Sequence, residues 1–243
     1  MRLMIIRHAD PDYSVDALTK SGWKEAELLA RRMEKIEAKE YYVSPLGRAK
    51  ETASCTLKKL GREGKVCDWL QEFPARIKRP DLNGEETIIW DWLPQDWSKE
   101  PLLLDREQWK NVDVIKEGKV GEQYDEVCRH FDELLAQHGY VRDGLLYRAV
   151  NPNKDTLVFF CHYGLGCVLI SHLMNMSPYV LWQGFCAAPS SVSTIYTEER
   201  REGIACFRAQ SLGDISHLYE AQREPSFAGR FSECYCKEDE RRP

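Results

Sequence analysis

The segment Thr156-Leu157-Val158-Phe159-Phe160-Cys161 is apolar at nearly every position and ends at once in His162. A run of this length without polar alternation reads as a strand covered on both faces, so the chain must supply a sheet and a helical layer on each side of it. Arg2 to Ile6 is a similar short run, ending in Arg7-His8-Ala9-Asp10. Tyr41 to Val43, Lys65 to Cys67, Val192 to Tyr196 and Gly203 to Gln210 are further strand candidates. Between them lie helical patterns. Leu18 to Ala38 repeats Trp23, Ala26, Leu29, Ala30 and Met33 at threes and fours, with Thr19 or Ser21 as its cap. Ser44-Pro45 reads as a cap and first-turn proline of a helix running to Leu60 and stopped by Gly61. Glu122 to His138 and Gly164 to Met174 complete the set.

Alternation of strands and helices predicts an α/β fold, a three-layer α/β/α sandwich on a mostly parallel central sheet. In such sheets functional groups gather beyond the carboxyl ends of the strands. With 243 residues and 43% apolar residues, the chain can form one domain over 1–243 without disulfides or metals. Residues 73–120 break the pattern with four prolines and four of the seven tryptophans, and read as an irregular Trp-rich cap insertion. Residues 219–243 read as a C-terminal tail that is charged and frayed from Lys237 to Pro243.

A net charge of −5 argues against nucleic acid as a partner, so an anionic ligand requires a local cationic pocket. Nine scattered cysteines, no secretory start and no membrane-length apolar run favour a reduced, cytoplasmic protein with no membrane partner. The Cys234-Tyr235-Cys236 pair lacks the second pair a metal site needs.

Four features carry chemistry: Arg7-His8 after the first strand, Ser44-Pro45-Leu46-Gly47-Arg48-Ala49 after the second, Glu72 beyond the third, and His162. Singly, each has a bland reading as a solvated loop, a capped helix, a surface carboxylate or a core histidine. Together, two arginines and two histidines at strand ends suit a tetrahedral oxyanion, because guanidinium forks match phosphate oxygens and stay charged. Flanking cations also depress a histidine pKa and keep its attacking nitrogen unprotonated.

These residues resemble the histidine phosphatase superfamily, the phosphoglycerate mutase-like group, in its non-phytase branch. Arg7-His8, Leu18-Thr19 with Gly22 and Glu25-Ala26, Ser44-Pro45 through Arg48-Ala49 with Glu51-Thr52-Ala53, and Phe160-Cys161-His162-Tyr163-Gly164 carry the resemblance, with Asp214 and His217-Leu218 following. It implies that His8 takes the phosphoryl group and that Arg7, Arg48 and His162 hold the equatorial oxygens. It also implies that a carboxylic acid protonates the leaving oxygen, for which Glu72 is the first choice and Asp10, Glu85 and Glu86 the fallbacks. No metal and no other cofactor is implied, since the arginines supply the charge. The partner is a small phosphorylated substrate; the oligomeric state is not legible.

The chain departs from the pattern in two places. Tyr163 stands where the family usually has Gly, either bordering the pocket or packing beneath the loop. The mutase hallmarks are missing, since Ala-Asp-Pro-Asp-Tyr follows His8 instead of Gly-x-Ser-x-x-Asn. This favours a phosphomonoester hydrolase with a phosphohistidine intermediate over a mutase-type phosphotransferase or a non-catalytic phosphate-binding module. A cysteine phosphatase is excluded, because Cys167, and not arginine, stands six residues after Cys161. In the cap, tryptophans can stack on a substrate or pin the insertion, and Arg76, Lys78 and Arg79 can meet a second anion or face solvent.

Overall fold

A computed structural model describes residues 1–228. The chain opens with strand β1 (Arg2–Arg7), a two-strand turn of β2 (Pro11–Asp12) and β3 (Ala17–Leu18), and helix α1 (Lys20–Met33). Strand β4 (Glu40–Val43), helix α2 (Gly47–Leu60) and strand β5 (Lys65–Val66) follow. Residues 73–120 hold the hairpin β6 (Arg76–Lys78) and β7 (Glu86–Ile88), short 3-10 turns, and helices α3 (Pro94–Trp97) and α4 (Asp113–Glu117). Helix α5 (Val120–Gln137), hairpin β8 (Tyr140–Asp143) and β9 (Leu146–Ala149), strand β10 (Thr156–Cys161) and helices α6 (Tyr163–Met174) and α7 (Pro178–Gly184) come next. Strands β11 (Val192–Arg201) and β12 (Ile204–Asp214) and helix α8 (Ser216–Glu220) end the described chain.

Eight strands form one sheet in the order β5-β4-β10-β1-β11-β12-β9-β8. The half from β5 to β1 is parallel, and β11, β12, β9 and β8 extend it antiparallel. The period of two sorts the central strands onto both layers. Leu3, Ile5, Leu157, Phe159 and Cys161 pack with Phe131 of α5 and Leu169 of α6, while Met4, Ile6, Val158 and Phe160 pack with Leu29 and Met33 of α1 and Ala53 of α2. The sandwich is therefore the α/β/α arrangement that the apolar strands require. No helix among the described residues is long and apolar enough to cross a membrane.

Local expectations needed revision in three places. Thr19 does cap α1, accepting the Gly22 N–H at 3.0 Å, but the helix ends at Met33. Trp23 faces outward, and Glu25 takes the buried position beside Ala26. Ser44-Pro45 does not cap α2: the helix starts at Gly47 behind Leu46, and the Ser44 hydroxyl is engaged elsewhere.

Within residues 73–120, the buried rings of Trp92 and Trp109 and the half-buried Trp90 meet Tyr179 and Trp182 of α7 edge-on or tilted. Packing thus accounts for these tryptophans. Arg79, which could have met a second anion or faced solvent, is 2% exposed and paired with Asp81. The Cys234–Cys236 pair and Lys237 to Pro243 lie outside the described residues.

Candidate active site

The parallel register sets the site. Arg7 pairs with Cys161 across β1 and β10, and Phe160 with Val43 across β10 and β4. The ladder continues one residue further on each side, with the His8 N–H donating to the Cys161 carbonyl and the Ser44 N–H to the Phe160 carbonyl. His8, Ser44 and His162 therefore leave the sheet side by side. The two imidazole centroids are 5.1 Å apart.

His8 is 1% exposed, and its Nδ1 lies 2.8 Å from the Ala9 carbonyl oxygen. A carbonyl only accepts, so Nδ1 carries the proton and Nε2 keeps its lone pair. Burial first, then Arg7, His162 and Arg48, hold the His8 pKa well below the ordinary imidazole range. Burial, Arg48 and Arg7 do the same to His162. Its Nε2 lies 2.7 Å from the Ser44 hydroxyl oxygen, which also accepts the Leu46 N–H. Among the described residues, Arg7 Nε, Arg48 Nε and His162 Nδ1 are buried without a hydrogen-bond partner.

Residues around these groups hold them in place. Arg7 donates through Nη1 to the carbonyls of Ala187 at 2.6 Å and Ala228 at 3.3 Å. Arg48 donates through Nη1 to Asp16, whose other oxygen accepts the Gly47 N–H at 2.6 Å. A Cβ on Gly47 would lie 2.1 Å from the Asp16 carbonyl oxygen, so glycine is needed for the loop to approach this closely. The Thr52 hydroxyl accepts the Ala9 N–H at 3.0 Å and donates to the Arg48 carbonyl at 2.7 Å, tying two motifs together. Tyr13, 63% exposed, lays its ring over the Arg48 guanidinium and edge-on to His8.

Glu72 stands at the start of α6, directly beyond His162. Its Oε1 accepts the Leu165 N–H at 3.0 Å and its own neighbour's, Phe73, at 2.9 Å. Burial raises its pKa despite these bonds. Trp90 crosses the same turn, where a Cβ on Gly164 would lie 2.2 Å from the indole. Of the other candidate carboxylates, Glu85 and Glu86 are exposed at the β6–β7 hairpin. Asp10 accepts from Thr19 at 2.6 Å and from Ser226.

Beneath His8, the Ser190 N–H donates to the His8 carbonyl at 3.0 Å, and the Ser190 hydroxyl lies 3.0 Å from His217 Nε2. Ser190 adopts φ 61°, a left-handed conformation uncommon outside glycine. The late His217 thus reaches the site through a loop. Asp16 and Ser190 carry no signal in the sequence alone, because each acts only through a partner distant in the chain.

The fold and this cluster together define an α/β protein with two buried imidazoles and two arginines gathered at the strand ends. The chain matches the profile of the histidine phosphatase superfamily, branch 1, over residues 3–209, and belongs to that superfamily. No curated protein matches it by sequence. Among solved structures, the chain resembles phosphoserine phosphatase from Entamoeba histolytica in complex with 3-phosphoglyceric acid, with 19% identity, 89% of this chain and 98% of that one covered, and TM-score 0.58. It also resembles a mycobacterial glucosyl-3-phosphoglycerate phosphatase complexed with VO3, at 17% identity, 87% and 98% coverage, and TM-score 0.54. The alpha-ribazole phosphatase from Shigella flexneri aligns at 20% identity, 88% and 97% coverage, and TM-score 0.52. At these identities the three establish a shared fold.

Proposed function

We propose that this protein is a metal-independent phosphomonoester hydrolase that acts on small phosphorylated metabolites through a phosphohistidine at His8. The observation that carries this reading is the set of three buried nitrogens without a partner among the described residues, Arg7 Nε, Arg48 Nε and His162 Nδ1, on the three side chains whose charge bears on His8. Leaving such groups unpaired costs roughly 1–3 kcal/mol each, which a bound phosphoryl group offsets. The arginines provide fixed positive charge beside the equatorial oxygens, over which the negative charge of the transition state is spread.

In the first step the His8 Nε2 lone pair attacks phosphorus and the bond to the leaving oxygen breaks. Protonated Glu72 gives its proton to that oxygen. Water then attacks phosphorus, passes a proton to the Glu72 carboxylate, and the N–P bond electrons return to His8. Inorganic phosphate departs. The raised Glu72 pKa suits the first role, and its residual hydrogen bonds stabilise the carboxylate for the second.

The test is turnover of a phosphomonoester panel in chelator by wild type, His8→Ala and Glu72→Gln, with acid-labile, alkali-stable phosphoenzyme trapped by rapid quench. Phosphate release by wild type and none by His8→Ala supports the reading. Wild-type rates in His8→Ala would refute the nucleophile. Transfer to a second hydroxyl outpacing release of phosphate would indicate a mutase, and anion binding without turnover across the panel a binding module.

A further inference from the structure

Tyr163 occupies the position where the chain departs from its family's usual glycine, and the surrounding geometry gives it a task. Its hydroxyl faces the carbonyl oxygens of Phe185 at 2.7 Å, Trp182 at 2.8 Å and Leu181 at 3.3 Å. Trp182 and Leu181 lie in the last turn of α7, whose carbonyls have no partner within the helix. Tyr163 therefore ends α7 and fixes the start of the loop from Phe185 to Ser191.

That loop holds both Arg7 and His8. Its Ala187 carbonyl accepts Arg7 Nη1 at 2.6 Å, its Ser191 carbonyl accepts the Arg7 N–H at 3.1 Å, and its Ser190 N–H holds the His8 carbonyl. The ring of Tyr163 also lies beneath the Arg7 guanidinium, with Cζ 5.7 Å from the centroid. Trp90 braces the ring edge-on at 5.9 Å, and the Trp90 carbonyl accepts from Gln183 of α7. The ring is thus fixed by its hydroxyl, by the cap and by the arginine above it.

A guanidinium is planar, so its contacts depend on the tilt of that plane. Here Nη1 is spent on the carbonyls of Ala187 and Ala228, and Nε has no partner among the described residues. We propose that Tyr163 is a positioning residue for Arg7, setting the plane of the guanidinium through its ring face and through the loop its hydroxyl anchors. The ligand served is the phosphoryl group. The proposal rests on the phosphatase reading for the identity of that ligand, and not on turnover.

Pure packing at Tyr163 would change stability alone; positioning makes its effect depend on Arg7. The experiment is a double-mutant cycle of Tyr163→Leu and Arg7→Lys, with Tyr163→Phe alongside. Readouts are inorganic phosphate affinity by calorimetry, kcat and KM for p-nitrophenyl phosphate, and Tm. A cation–π contact of this kind corresponds to about a 10-fold weakening of phosphate binding in Tyr163→Leu. Tyr163→Phe, which keeps the ring, is expected to lose about 3-fold. In the Arg7→Lys background the leucine variant is expected to lose less than about 2-fold more, because an ammonium has no plane for Tyr163 to set.

Equal losses in both backgrounds, or wild-type phosphate affinity in Tyr163→Leu, would overturn the proposal. If Tyr163→Leu does not fold, the cycle with Tyr163→Phe decides by the same criterion. An absence of turnover in wild type would remove the hydrolase reading while the phosphate-binding cycle still decides on Tyr163.

Discussion

His8 Nδ1 donates to the carbonyl of Ala9, the next residue in the chain, across 2.8 Å. The bond fixes one tautomer, and burial with three cationic or imidazole neighbours disfavours a second proton. An ordinary histidine nucleophile loses activity as pH falls through 6.5. Here the folded-state pKa lies well below that value, so His8 stays neutral at lower pH. We expect kcat at saturating p-nitrophenyl phosphate to show no protonation step near 6.5. A clear fall with that apparent pKa would show that the imidazole is not held as described.

In the proposed mechanism Glu72 sets the opposite limb. Burial favours its protonated form, so the acid is available above the ordinary carboxylate range and is lost as pH rises through the elevated pKa. Glu72→Gln is expected to slow hydrolysis of an alkyl phosphate by about 10²–10⁴-fold, the usual contribution of a general acid. Release of p-nitrophenol, which needs little protonation, is expected to fall much less. The alkaline limb disappears in the variant. Equal losses on both substrates would assign the proton to another group.

The strands around the site were legible because β1, β4 and β10 are buried on both faces and carry little else but apolar residues. Thr156–Cys161 agrees with β10 at both ends. Hairpin β8–β9 and helix α7 were not anticipated. Tyr140 to Ala149 mixes charged and apolar residues at the sheet edge, and α7 is a seven-residue helix held mainly by its contacts. Ser44 shows why local patterns mislead: Ser-Pro has the form of a helix start, yet its hydroxyl lies against His162, 118 positions away. His8, Arg48 and Glu72 could be proposed from motif and spacing. Asp16 could not, since its carboxylate acquires meaning only when the turn brings it to Arg48.

Asp16 supplies a direct test of that ion pair. Its carboxylate engages Arg48 Nη1 and the Gly47 N–H together, fixing the guanidinium against the start of α2. Asp16→Asn keeps an acceptor for one of these donors and loses the charge. The pair is partly exposed, so its effect on stability is small, about 0–1 kcal/mol. With Arg48 in its proposed role, the effect on substrate is expected to be larger, because a mobile Arg48 must be ordered on binding. We expect KM for p-nitrophenyl phosphate to rise about 10-fold with Tm nearly unchanged. An unchanged KM would show that Arg48 needs no such support.

Glu25 adds a stability signature that no surface carboxylate would produce. The residue is fully buried in α1, its Oε2 accepts the Asp10 N–H at 2.9 Å, and its Oε1 has no partner among the described residues. Burial raises its pKa from 4.5 to about 7. Between these values the folded chain holds a proton that the unfolded chain has released. The carboxyl therefore stabilises the fold fully below 4.5, and this contribution drains away as pH rises to about 7. His217 acts in the other direction: burial lowers its pKa from 6.5 to about 4, so its contribution is present above 6.5 and is lost as pH falls toward 4. His8 and His162 share that sign. The wild-type profile blends opposed slopes, and only a difference between variants isolates Glu25. Glu25→Gln puts an uncharged amide where the protonated acid sits. At pH 5 its Tm is expected to match wild type closely, and by pH 8 to exceed it by several degrees, equivalent to about 3 kcal/mol. A constant difference across that range would mean that Glu25 is ionised in the fold throughout.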